Sequence, residues 1–159
     1  MTGAGPSPMG LALAEARRAA ARDEVPVGAV VTVAATGEVL AVAGNRVREL
    51  ADPTAHAEML AIREAAARLG RPRLDDCDLT VTLEPCAMCA QAIALARIRR
   101  LVFAAYDPKG GAVEHGARIF RQQTCLHAPE VVGGVDERAA AALLSGFFRA
   151  LRPETGGTG

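Results

Sequence analysis

Apolar residues recur along this chain at two spacings, and the spacing changes from block to block. Met9 to Arg22 is rich in Ala, Leu and Arg and reads as a helix. Val27 to Ala34 and Glu38 to Ala43 are short Val-rich runs on either side of Thr36-Gly37, the pattern of a β-hairpin. Thr54 opens a second helix with Met59, Ile62, Ala66 and Leu69 on one face, and Gly70 and Pro72 close it. Asp78 to Leu83 alternates as a strand does. Pro85 starts a third helix, since proline suits the first helical position. That helix turns Cys89, Ile93 and Ala96 inward and ends near Arg97, Arg99 and Arg100, where cations suit the helix dipole. Leu101 to Ala105 is a further strand, and Asp107 to Thr124 is polar loop with a short helical turn. Glu130 to Val132 makes a fifth short strand. Asp136 then caps a last helix whose apolar stripe is Ala140, Leu143, Leu144, Phe147, Phe148 and Leu151. The expected fold class is α/β, a sheet of about five strands with helices on both faces.

Composition narrows this picture. A length of 159 residues fits one domain spanning 1–159, with loose ends at 1 to about 7 and at 153–159. Half the residues are hydrophobic and 23% are charged, which excludes the disordered and low-complexity classes. The longest apolar stretch, Val25 to Ala35, is interrupted by Pro26, Gly28 and Thr32 and falls short of the roughly 20 residues of a membrane span. No basic segment precedes an apolar one near the start, so no secretory signal is expected; a cytoplasmic protein without a membrane partner is. Basic and acidic residues both number 18, giving zero net charge. That argues against indiscriminate coating of nucleic acid and leaves local arginine patches near 46–48, 118–121 and 149–152. Lys109 is the one lysine.

Four cysteines in a reducing compartment point to metal or redox chemistry rather than a disulfide scaffold. Cys86 and Cys89 are three residues apart and share a helix face. In the first turn of a helix, the dipole and free N–H groups favour the thiolate that binds metal. His56 sits at the start of its own helix, so two helix N-termini can converge on one ion. One imidazole and two thiolates make three zinc ligands and leave a fourth position for water, the catalytic pattern. Zinc lowers the pKa of such a water to about 7. Glu58, two residues after His56, is placed to take a proton from it and hand it on. Two alternatives stand beside this one. The C-x-x-C by itself fits a redox pair, and a fourth ligand from Cys77, Cys125 or another histidine makes a structural knuckle.

His-x-Glu followed by Pro-Cys-x-x-Cys is the signature of zinc nucleobase deaminases. From about Met9 to Arg152 the chain resembles the bacterial tRNA-specific adenosine deaminases. The stretches that carry the resemblance are Glu24-Val-Pro-Val-Gly-Ala-Val30, Gly44-Asn45-Arg46, Asp52-Pro-Thr-Ala-His-Ala-Glu58, Thr82-Leu-Glu-Pro-Cys-Ala-Met-Cys89, Asp107-Pro-Lys-Gly-Gly-Ala112 and Leu143 to Arg149. The zinc signature alone indicates the superfamily, and Asp52 to Glu58 is similar in guanine deaminases.

The resemblance implies a cytidine-deaminase-like three-layer α/β/α fold with a mixed sheet. It implies one zinc on His56, Cys86 and Cys89, with Glu58 as proton shuttle. It further implies that Asn45 hydrogen-bonds a flipped purine, although alone Asn45 reads as a turn residue after a strand. Val27, Ala57 and Leu83 are implied substrate contacts, with Val27 and Leu83 as apolar walls. Asp107 and Lys109 lie in a loop resembling the family's nucleic-acid-contacting loop. Phe148 borders the groove, although such stripes are more often core. The implied partners are a tRNA anticodon stem-loop and a second copy of the chain in a homodimer that shares the RNA surface. Two departures stand out. Leu126-His127-Ala128 lacks an Arg that relatives often carry, and the C-terminal tail is not basic. His115 and His127 read as polar loop residues, and Cys77 and Cys125 as thiols outside the metal shell. The rivals are a same-fold deaminase of a free base or nucleoside (guanine, cytosine or adenosine) and a non-catalytic zinc-binding module.

Overall fold

The structure, a computed structural model, describes residues 5–151. Expectations for 1–4, for 153–159 and for Arg152 lie outside the described residues. Ser7, expected in a loose end, instead caps the first helix by accepting the Gly10 N–H at 3.0 Å. Helix α1 follows over Pro8–Ala21, with its proline in the first turn where no N–H partner is missed. The strands are β1 (Gly28–Val33), β2 (Val39–Gly44), β3 (Cys77–Leu83), β4 (Arg100–Ala105) and β5 (Glu130–Val132). The other helices are α2 (Ala57–Leu69), α3 (Ala87–Leu95) and α4 (Glu137–Leu151), with a short 3₁₀ turn at Ile119–Arg121.

The five strands form one mixed sheet in the order β2-β1-β3-β4-β5. The hairpin β1/β2 and the pair β1/β3 are antiparallel; β3, β4 and β5 run parallel. Parallel neighbours need a crossover, which α3 supplies between β3 and β4. Alternation along β1 divides the core in two. Ala29 and Val31 join Leu79, Val81, Ala61, Ala65 and Ile93 on the side of α2 and α3. Val30 joins Ala12, Leu13, Ala104 and Ala140 on the side of α1 and α4. Helices therefore cover both faces, as the α/β/α expectation requires. Helix α1 lies so close on β1 that a Cβ at Gly28 would fall 1.9 Å from the Ala12 carbonyl oxygen.

Several boundaries differ from expectation, each for a local reason. Helix α2 starts at Ala57 rather than Thr54, because Thr54 N–H and Oγ1 both bond to Asp52 Oδ1, at 2.8 and 2.7 Å, in a turn of its own. Its inner face is Ala57, Ala61 and Ala65, with Ile62, Ala66 and Leu69 at the edge and Met59 outside the core cluster. Pro85 precedes helix α3, and Cys86 is its N-cap. Asp136 has φ 56°, left-handed rather than the extended conformation of an N-cap. The α4 stripe is core only at its start. Ala140 is buried, whereas Phe148 is 47% and Leu151 57% exposed.

Site-forming segments leave the carboxyl ends of β2, β3 and β4, at Asn45, at Glu84 to Cys86 and at Tyr106-Asp107. Carboxyl ends of parallel strands are where open α/β sheets place their ligands.

Candidate active site

His56 and Cys86 occupy the same position in two helices. Each is the N-cap with extended backbone, and neither side chain caps its helix. Both side chains are thereby free for another partner, and Cys89 stands three residues beyond Cys86. His56 Nδ1 lies 3.6 Å from Cys86 Sγ and 3.5 Å from Cys89 Sγ. All three ligand atoms fall within 4.8 Å of one another, and no other such cluster of three occurs among the described residues. Tetrahedral zinc, with bonds of about 2.0 Å to nitrogen and 2.3 Å to sulfur, separates N from S by about 3.6 Å. The donor set therefore fits zinc without rearrangement.

The three groups set one another's proton affinity. A hydrogen bond from Cys89, then the His56 ring and the Cys89 N–H, pull the Cys86 thiol down to about 4 against its burial. The same bond to Cys86, followed by burial, pushes Cys89 up. The Cys86 hydrogen bond raises His56. A divalent cation displaces the thiol proton and leaves both sulfurs as thiolates. Glu58, on the first turn of α2, is 4% exposed. Burial above all, and the charge of Cys86, push its carboxyl up, against the pull of its own backbone N–H. A carboxyl raised this way is suited to moving protons near neutrality.

His56, Glu58 and Cys86 line a cleft of about 460 Å³ together with Val27, Asn45, Leu83, Asp107 and Phe148. Lys109 lines an adjoining cleft of about 810 Å³, which shares Leu83, Asp107 and Phe148 with the first. Phe148 is thus a cleft residue rather than core. Ala57 is the one expected contact that the structure keeps out of the cleft. It is fully buried, and its N–H donates to Asn45 Oδ1 at 2.8 Å. A backbone N–H can only donate, so this bond fixes the amide of Asn45 with its oxygen engaged and its NH₂ as the group left for a ligand.

Three positioning groups escaped the sequence reading. Both oxygens of buried Glu24 accept the Arg48 N–H, at 2.6 and 3.3 Å. Arg22 donates to the Asn45 carbonyl at 3.0 Å. Buried Glu84 accepts from five N–H groups in residues 107–115, one of them the His115 ring. Burial works to raise the Glu84 carboxyl, but these bonds outweigh it and hold it below the ordinary value. A lone carboxylate between a strand and Pro85 was the available signal for Glu84; Glu24, directly after Arg22-Asp23, carried none. His127 bonds the Ile98 carbonyl at 2.7 Å, away from the cluster. Cys77 is fully buried, its thiol pushed up to about 12 chiefly by that burial, and Cys125 is half-buried. Of the arginine patches, Arg48 lines the cleft and Arg149 a groove beside Phe148.

Comparison with known proteins adds the following. The family model for the cytidine and deoxycytidylate deaminase zinc-binding region matches residues 7–105. A tRNA-specific adenosine deaminase from Agrobacterium fabrum (strain C58) is 58% identical over 144 residues, covering 91% of this chain and 93% of its own. A solved structure from studies of A-to-I editing by tRNA:A34 deaminases at the wobble position of transfer RNA superposes with a TM-score of 0.84. It is 58% identical and covers 86% of this chain and 98% of its own. A guanine deaminase structure from Nitrosomonas europaea has a TM-score of 0.76 at 30% identity, covering 92% of this chain and 86% of its own.

Proposed function

The chain belongs to the cytidine and deoxycytidylate deaminase family, and from that membership we propose that it hydrolyses adenosine to inosine at the wobble position of a tRNA anticodon. The observation that carries this reading is the buried Glu58 carboxyl lining one cleft with His56 and Cys86, which with Cys89 behind them make a three-ligand zinc shell. The relatives named for tRNA adenosine deamination choose among deaminase substrates.

His56, Cys86 and Cys89 hold the zinc. Bound there, zinc lowers the pKa of water and supplies a hydrolytic nucleophile at neutral pH. The rest is the work of the chain's own groups. An anticodon-loop base is unpaired, so its entry into the cleft costs little. Val27 and Leu83 flank the ring, and the Asn45 NH₂ donates to a purine ring nitrogen. Glu58 takes the proton that water gives up as its oxygen bonds to C6, and passes it to the ring nitrogen. It then moves a proton to the departing amine, so that adenosine and water become inosine and ammonia. Asp107, Lys109 and Phe148 meet the RNA outside the reacting ring, with Arg48 and Arg149 toward phosphates. The whole chain acts as one deaminase domain, in the cytoplasm, as a homodimer whose subunits share the RNA surface. Among the described residues no helix is long and apolar enough to cross a membrane.

A second reading is deamination of a free purine. The free NH₂ of Asn45 suits N7, which adenine and guanine share. Mass spectrometry decides between them. Inosine at the wobble position of an anticodon stem-loop is the expected product. Ammonia released from free guanine, with the stem-loop unchanged, would assign the free-base reaction instead.

A further inference from the structure

Glu84 lies in the buried strand-to-helix turn that delivers Cys86, yet its carboxylate faces a different segment. Its Oε1 accepts the Asp107 N–H at 3.0 Å and the His115 Nδ1–H at 2.8 Å. Its Oε2 accepts the N–H groups of Val113, Glu114 and His115, at 3.2, 3.0 and 3.1 Å. The side chain has no exposed surface. Two backbone bonds complete the junction: Glu84 N–H to the Ala105 carbonyl at 2.8 Å, and Ala112 N–H to the Pro85 carbonyl at 2.9 Å. Gly111 presses on the carboxylate so closely that a Cβ there would fall 2.5 Å from Glu84 Cδ. Inside the loop Asp107 Oδ1 accepts the Lys109 and Gly110 N–H groups at 3.2 and 3.0 Å, so Glu84 holds the two ends of the segment and Asp107 turns its middle.

The geometry points to Glu84 as the positioning residue of the cleft rim: its carboxylate anchors residue 107 and residues 113–115, and so sets where the Asp107 turn presents Lys109 and Gly110 to the substrate. The functional part of this inference rests on the reading of that rim as an RNA contact. The mechanism uses none of the five bonds, and the zinc shell needs none of them. Disturbing Glu84 therefore acts on substrate binding ahead of chemistry. Glutamine cannot substitute. Whichever way its amide turns, an NH₂ meets N–H donors that then lack an acceptor.

Glu84→Gln tests this directly, and Gly111→Ala keeps the carboxylate but crowds it and the Asp107 carbonyl, disturbing the same junction from the loop side. Hydrogen exchange followed by mass spectrometry reads the rim whatever the substrate is. Amides in residues 107–115 are expected to exchange at least about tenfold faster in both variants, with α2 and α3 unchanged and zinc at one per chain. His115→Ala, which removes one of the five donors, should show a smaller change. With the stem-loop, KM should rise about tenfold while kcat stays within about threefold. Unchanged exchange in both folded variants overturns the inference. So does loss of zinc, or a fall in kcat at constant KM, since either would assign Glu84 to the metal turn. If exchange accelerates but the wild-type protein forms no inosine, the rim stands and the tRNA reading falls.

Discussion

Cys77 and Cys125 carry the same thiol as Cys86 and Cys89, and position alone separates them. Cys77 and Cys89 are both fully buried, but Cys77 lies in the core on β3, whereas Cys89 stands 3.5 Å from His56 Nδ1 behind Cys86, which lines the cleft. The Cys77→Ala, Cys125→Ala double variant should retain one zinc per chain by metal analysis, and the cavity at Cys77 should lower stability by about 1 kcal/mol or more. Loss of stoichiometric zinc would put one of these thiols in the shell. Asn45 has two jobs that one substitution separates. Asn45→Asp keeps an oxygen for the Ala57 N–H but sets a carboxylate against a purine nitrogen. Folding and zinc should be kept while KM for the stem-loop rises at least about tenfold, from a lost hydrogen bond plus repulsion; an unchanged KM would remove Asn45 from base binding. Ligands and shuttle were legible because His56, Glu58, Cys86 and Cys89 sit at fixed short spacings. The amide orientation of Asn45, the burial of Ala57 and the role of Glu84 were not, because their partners lie 12 to 31 residues away in sequence.

Helix α1 never touches the cleft chemistry, yet it backs the strand that carries Val27 to the cleft. Its contact with β1 leaves no room for a side chain at Gly28. Gly28→Ala should therefore destabilise the protein by about 3 kcal/mol or more, at the upper end of overpacking effects, read by denaturant unfolding. A neutral result would mean that α1 can move off the sheet. Most elements were legible from their periods, and β5 was placed at the residues observed. The differences gather at helix starts. An Asx turn at Asp52 delays α2, and a turn closed by side-chain bonds carries no hydrophobic period. The α4 stripe leaves core and groove both open at Phe148, because a period shows that a face is apolar without showing what covers it. Here its outer half, Phe148 and Leu151, lines the cleft.

At the scale of the whole molecule, the proposed function has zero net charge and a single lysine to work with, so it needs local arginines such as Arg48 and Arg149 to meet the RNA. Affinity for the stem-loop should fall with salt along a shallow slope, and Arg48→Ala should reduce that slope by about one phosphate contact. A salt-independent affinity would mean that Arg48 and Arg149 do not face the RNA. The layer order was legible because strands and helices alternate in sequence. The cleft was not, since it forms only where the ends of β2, β3 and β4 meet the far end of α4. What the molecule does as a unit is read most directly in one rate: inosine formation from a wobble-adenosine stem-loop by zinc-replete Glu58→Gln, beside the wild type. The glutamine keeps the size of Glu58 and cannot carry a proton. The mechanism predicts that this variant holds one zinc, binds the stem-loop as the wild type does, and forms inosine at least about 10²-fold more slowly. Inosine formed at the wild-type rate would contradict it.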